Sequence, residues 1–111
     1  MTTDMTDATV TIATSEDVVT IVLEGEIDLD NAKRVGDEIQ SAITNQTKAA
    51  TIDLGGVSYM DSAGLHVMFE LAARLPTLQI GLELHAPLGS QVRRVMDLCG
   101  LTSVVTVKPE A

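Results

Sequence analysis

Aromatic residues are nearly missing from this chain, whose 111 residues include one Tyr, one Phe and no Trp. Hydrophobic residues still make up 45%, so a core is available, built from Val, Ile, Leu, Ala and Met. Cysteine is limited to Cys99, which excludes an internal disulfide. Set among Leu98, Gly100 and Leu101, it reads as a small buried hydrophobe. Basic residues are sparse, 7 against 16 acids, for a formal net charge of −9. That balance argues against nucleic acid or an anionic membrane as partner, since both need a basic face. Arg93-Arg94 reads as the solvated side of a helix. No apolar run approaches the roughly 18 residues of a transmembrane span. Residues 1–7 show neither the basic nor the apolar region of a secretory signal. The expectation is a single cytoplasmic domain.

Periodicity supplies the elements. Residues 1–8 are polar and read as a disordered lead. Runs 10–13 and 18–24 are rich in β-formers and flank the polar turn Thr14-Ser15-Glu16-Asp17, which predicts a hairpin. A loop, Gly25-Glu26-Ile27-Asp28-Leu29-Asp30, follows, with Asp30 placed to cap a helix. Ala32, Val35, Ile39, Ala42 and Ile43 recur at helical spacing and predict a helix to about Asn45. Residues 49–54 form a short apolar run, mostly without alternation, the pattern of a strand covered on both faces. Gly55-Gly56-Val57-Ser58 reads as its exit loop. A second helix is predicted over 62–75, with Leu65, Met68, Phe69 and Ala72 on one side and Pro76 at its end. Residues 79–85 alternate as a strand through Ile80, Leu82 and Leu84. A third helix spans 89–99 with Val92, Val95 and Cys99 inward and Gly100 just past its end. Residues 104–107 close as a strand, and 109–111 form a tail. The order β-β-α-β-α-β-α-β predicts an α/β domain with a mostly parallel sheet and helical cover.

The chemistry concentrates in Tyr59-Met60-Asp61-Ser62-Ala63-Gly64-Leu65. Asp61 is placed as the N-cap of the second helix, accepting the N–H of Gly64. Gly64 costs a helix about 1 kcal/mol relative to Ala, so its presence in the first turn signals a close approach by a neighbouring strand or a partner. Ser62 is the first helical residue. Its hydroxyl stands where unpaired backbone N–H groups favour anions, which makes it a candidate phosphate carrier.

Enzyme-like alternatives find little support. Ser62 and His66 stand one turn apart, but no G-x-S-x-G elbow surrounds the serine. His66, His85 and Cys99 lack metal-ligand spacing, so neither a metal nor a cofactor is expected. Gly55-Gly56 lacks the G-x-x-x-x-G-K-[ST] pattern of a phosphate loop. A receiver domain accepting phosphate on Asp53, with Lys108-Pro109 after the last strand, is a further rival. Receivers carry an acid pair at the end of their first strand, whereas Glu16-Asp17 sits in a hairpin turn.

With this element order, Gly25-Glu26-Ile27-Asp28-Leu29-Asp30-Asn31-Ala32 and Val57-Ser58-Tyr59-Met60-Asp61-Ser62-Ala63-Gly64-Leu65 resemble the STAS domain family, and more narrowly its bacterial anti-sigma factor antagonists. Cys99-Gly100-Leu101 resembles the family's helix exit, and the resemblance spans roughly 10–107. It implies a protein that binds an anti-sigma factor and frees a sigma factor. By that resemblance Ser62 corresponds to the serine phosphorylated by the anti-sigma factor, itself a serine kinase, and a PP2C-type phosphatase reverses the mark. The implied partner-binding residues are Asp28, Leu29, Asn31, Tyr59, Met60, Asp61, Ser62, Gly64 and Leu65. Ala63 replaces a frequent serine, which narrows the phosphoacceptor to Ser62. Leu75-Pro76-Thr77-Leu78 lacks a glycine often found there. The free protein is expected to be a monomer without nucleic-acid or membrane contact. The competing reading is an unphosphorylated STAS adaptor within a larger complex, such as a lipid-transport ATPase.

Overall fold

A computed structural model describes residues 7–110. Among them the order is β1 (Ala8–Ser15), β2 (Val18–Ile27), α1 (Ala32–Ala42), β3 (Ala49–Met60), α2 (Ser62–Thr77), β4 (Gly81–His85), α3 (Gln91–Cys99), a short 3-10 turn (Leu101–Ser103) and β5 (Thr106–Lys108). The strands form one sheet in sequence order. β1 and β2 are an antiparallel hairpin, and β2, β3, β4 and β5 pair in parallel. The expected α/β class and mostly parallel sheet hold.

Register sorts the side chains by face. Val19, Ile21 and Leu23 of β2 share a face with Ala50 and Ile52 of β3 and Leu84 of β4, and all six are buried. All but Ala50 join a core with Val35 and Ile39 of α1, Val67, Met68 and Leu71 of α2, and Val92 and Met96 of α3, while Ala50 packs with Leu75 and Ile80. The helices therefore lie on one side of the sheet. Thr20, Val22, Thr51, Asp53, Glu83 and His85 occupy the other. The expectation that β3 is covered on both faces is overturned, since Thr51 and Asp53 face away from the helices and remain half-buried. The core is aliphatic as expected, with Tyr59 exposed and Phe69 half-buried.

Several boundaries move for physical reasons. Of the expected lead, residues 1–6 lie outside the described residues. Ala8 is buried and opens β1, and the Asp7 carboxylate meets Arg34 at 2.8 Å. β2 continues through what reads as a loop to Ile27. β3 runs six residues beyond Leu54, because Gly56, Val57, Tyr59 and Met60 pair with Glu24, Gly25, Glu26 and Ile27 across two irregularities in register. The Gly55-Gly56 pair thus marks a bulge and not an exit. A Cβ at Gly56 would stand 2.8 Å from Glu24 Cγ. α1 stops at Ala42, where Thr44 and Thr47 exchange side-chain bonds with the backbone of the turn. α2 runs past Pro76 to Thr77 and buries Gly64, Val67, Met68, Leu71 and Leu75. Its inward face is thus rotated from the predicted one, leaving Leu65, Phe69 and Ala72 half-buried.

The third helix starts two residues late and buries Val92 and Met96, with Val95 half-buried. Cys99 is exposed, so its reading as a buried hydrophobe fails: it shares a helix face with Val92 and Met96 but is the last residue of the helix. Gly100 takes the predicted left-handed conformation at φ +86°. Arg93 is not a solvated side chain either. It lies against the α3 surface and donates to the Ala86 carbonyl at 3.1 Å, while Arg94 is exposed. Leu101–Ser103 forms a 3-10 turn, which delays β5 to Thr106.

Candidate functional site

β2 and β3 end level with each other, Ile27 opposite Met60, on the way to α1 and α2. Asp61 bridges the two exits. Its backbone N–H donates to the Ile27 carbonyl at 3.1 Å, extending the ladder by one bond. Oδ1 accepts from the N–H groups of Ala63 (2.8 Å) and Gly64 (3.3 Å), the expected N-cap. Oδ2 accepts from the N–H of Leu29 at 3.2 Å and ties the β2 exit to the β3 exit.

The β2 exit differs from its prediction. Asp30 does not cap the helix: the N-cap position belongs to Asn31, which makes no side-chain cap bond. Asn31 is buried and turned back toward the strand, its Nδ2 donating to the Glu26 carbonyl at 2.8 Å and its Oδ1 accepting from the Asp28 N–H at 3.0 Å. Asp28 Oδ1 accepts from the Asp30 N–H at 3.0 Å, an Asx turn that fixes the loop. With its backbone held, the loop projects Leu29, 81% exposed. Asp30 is left exposed beside it.

Gly64 is explained by the neighbouring strands. A Cβ there would stand 2.6 Å from Met60 Cγ and 2.9 Å from Ile27 Cγ2. Met60 fills that gap and is 1% exposed, so it lies in the core and offers no surface to a partner. Tyr59 pairs with Glu26, one residue from Met60 and so on the other face of the sheet. It is 44% exposed there, away from the helices. Leu65 is half-buried and Ser62 exposed. The structure therefore groups Asp28, Leu29, Asn31, Asp61, Ser62 and Gly64. It separates Tyr59 and sinks Met60.

Side chains not singled out from the sequence complete the surroundings. Gln91, at the start of α3, accepts from the Met60 N–H at 2.9 Å and donates to the Met60 carbonyl at 3.1 Å. It clamps the residue before Asp61 from outside the sheet. A groove of about 520 Å³ opens between α1 and α2, lined by Leu29, Ala32, Lys33, Ser62, Ala63, His66, Val67 and Glu70. The sequence offers His66 as a base for Ser62 or as a metal ligand, and neither reading finds support. Instead its Nε2 stands 3.4 Å from Glu70 on the following turn. Nothing local signals Gln91 or the groove, since both depend on how helices meet. Another hollow, about 350 Å³, lies between the far ends of α1 and α2 around Ile43, Thr44, Arg74 and Leu78, remote from Ser62.

Beyond β3, His85 is buried on the helix-free face and bonds Glu83 through Nε2. Lys108 reaches the other Glu83 oxygen at 3.3 Å. The His85 hydrogen bond, aided by Lys108, holds the Glu83 carboxyl below its ordinary range. Among the described residues no cluster of His, Cys, Asp and Glu is arranged to hold a metal ion, and no helix is long and apolar enough to cross a membrane.

Comparison with known proteins gives a consistent picture. A sequence model of the STAS domain matches residues 9–111. The anti-sigma-B factor antagonist of Listeria monocytogenes is 32% identical over 92 residues, 83% of this chain and 80% of that protein. An anti-sigma factor antagonist from Mycobacterium paratuberculosis superposes with a TM-score of 0.87 at 24% identity, over 97% of this chain and 91% of that one. The Bacillus cell fate determinant SpoIIAA, solved in its phosphorylated form, superposes at 0.69 with 21% identity, over 89% and 90%.

Proposed function

The chain belongs to the STAS domain family, and we propose that it is an anti-sigma factor antagonist whose hold on its partner is switched by phosphorylation of Ser62. One observation carries this reading. An exposed hydroxyl on the first residue of α2 borders a groove whose lip is the most exposed large apolar side chain among the described residues, Leu29. In the unmodified state the Asp28 loop and the first turn of α2 dock on the anti-sigma factor, with Leu29 as the apolar contact. Sigma factor is released in consequence. The protein acts by binding, in the cytoplasm, and meets no DNA, in keeping with its charge of −9.

The anti-sigma factor would also act as kinase. Ser62 Oγ attacks the γ-phosphorus of ATP, the hydroxyl loses its proton, and ADP leaves, with a PP2C-type phosphatase later hydrolysing the ester. The mark adds about −1.5 to −2 charges. Within the domain it is tolerated, because a helix N-terminus favours an anion by about 0.3–1 kcal/mol. At the interface a dianion faces a surface shaped for a neutral hydroxyl, and desolvating it unpaired costs several kcal/mol. Each 1.4 kcal/mol is tenfold in affinity, so partial desolvation already separates the partners. The switch is local charge without refolding, and circular dichroism spectra of the two forms should overlay.

The experiment is phosphate transfer from the candidate anti-sigma kinase and ATP, read by intact mass and site mapping. A single phosphate on Ser62 that weakens the complex is the expected result. Tight binding without transfer would favour the fixed adaptor. Ser62→Ala should bind constitutively and Ser62→Asp, with one charge, should weaken binding in part. Loss of binding by a folded Ser62→Ala would make the hydroxyl a contact and sink the switch.

A further inference from the structure

The groove beside Ser62 carries a basic side chain on each wall, Lys33 on α1 and His66 on α2. Each leans on a carboxylate one turn further along its own helix. Lys33 Nζ lies 3.0 Å from Asp37, and His66 Nε2 lies 3.4 Å from Glu70. Both pairs are well exposed and weakly held in water. Ser62 precedes His66 by four residues, which puts their Cβ atoms about 6 Å apart on one helix face. An anion N-terminal to a cation at this spacing is the favoured order, and Glu70 lies on the opposite, less favoured side.

We propose that phosphoserine at position 62 is held in cis by His66 and Lys33, which exchange Glu70 and Asp37 for the phosphate. The inference rests on Ser62 being the phosphoacceptor and adds what becomes of the phosphate. A dianion outcompetes two single carboxylates for the Lys33 ammonium and the His66 ring N–H. The groups facing it are Lys33 and Asp37 from α1, His66 and Glu70 from α2, and Asp28 and Asp61 from the strand exits. The two acids at the exits oppose the phosphate, and its contacts with Lys33 and His66 would outweigh them. The cation arms then lie across Ala32, Ala63 and Val67, so the modified protein covers its own docking groove as well as repelling the partner.

The test installs phosphoserine at position 62 by expanded-code expression, so no kinase is needed. Phosphorus-31 resonances of the modified protein, Lys33→Gln and His66→Gln would be followed against pH. The second phosphate ionisation, ordinarily near pH 6, should fall at lower pH in the parent protein than in either variant. About half a pH unit per cation is expected for a unit charge a few ångströms away in water-rich surroundings. His66 ring resonances should shift on modification. Three coincident titration curves and an unmoved His66 ring would overturn the proposal. The parent reading fails separately, if the phosphoserine form binds the anti-sigma factor as tightly as the serine form.

Discussion

β2 and β3 leave the sheet side by side, yet they reach their helices in different ways. Four residues, 28–31, separate Ile27 from α1, whereas Asp61 alone separates Met60 from α2. The short exit has no slack. One carboxylate takes three backbone N–H groups, and Gln91 clamps the residue before it. The long exit is held by its own turn, through Asp28 and a buried Asn31. What they present differs accordingly: a small hydroxyl on a fixed helix start, and a large apolar side chain on a braced loop. Under the proposed function, the two adjacent exits place the phosphoacceptor next to the docking contact. Asp61 Oδ2, accepting from the Leu29 N–H, crosses between them by side chain.

If the short exit has no slack, disturbing its foundation should cost the most. Met60→Ala removes a fully buried side chain from beneath Gly64, and a loss of about 2–5 kcal/mol is expected in chemical denaturation. A loss under about 1 kcal/mol would mean that the exit relaxes freely, and the comparison would break. Gly64→Ala approaches the same contact from the other side. Its methyl would enter at 2.6 Å from Met60 Cγ, and overpacking of about 1–3 kcal/mol should outweigh a propensity gain of about 1. A stabilised variant would show that Met60 moves aside.

The same residues show what a sequence discloses. Helices and strands were legible because burial imposes periodicity on Ile21, Leu23, Val35 and Ile39 within single elements. Asp61 and Ser62 were legible because capping is local chemistry. Met60 was misread as surface: its burial depends on Ile27 and Met60 lying level across two strands, which no local pattern contains. Gly55-Gly56 misled for a related reason, since Gly56 pairs with Glu24 while Gly55 falls in a register shift, which turns a loop-like pair into a bulge. The groove was hidden because Lys33 and His66 meet only through packing of α1 on α2.

Asp61→Ala sharpens the comparison by removing the cap and the tie to Leu29 together. About 1–2 kcal/mol should be lost, the usual range for an N-cap deletion with a further exposed bond. Hydrogen exchange should quicken at Ala63, Gly64 and Leu29 alike. Protection lost only in α2 would mean that the exits are independent.

Asp30→Ala should have the smallest effect, and it is the sharpest control. Both acids stand just before a helix, and both read from sequence as caps. Asp30 is exposed, and the cap position after it is filled by Asn31, whose side chain already serves Glu26 and Asp28. What Asp30 contributes is a backbone N–H to Asp28 Oδ1, which alanine keeps. Stability should therefore stay within about 0.5 kcal/mol, as for surface positions away from special features. A loss matching that of Asp61→Ala would mean that a carboxylate at position 30 supports α1 through its charge, and the two exits would then share one design.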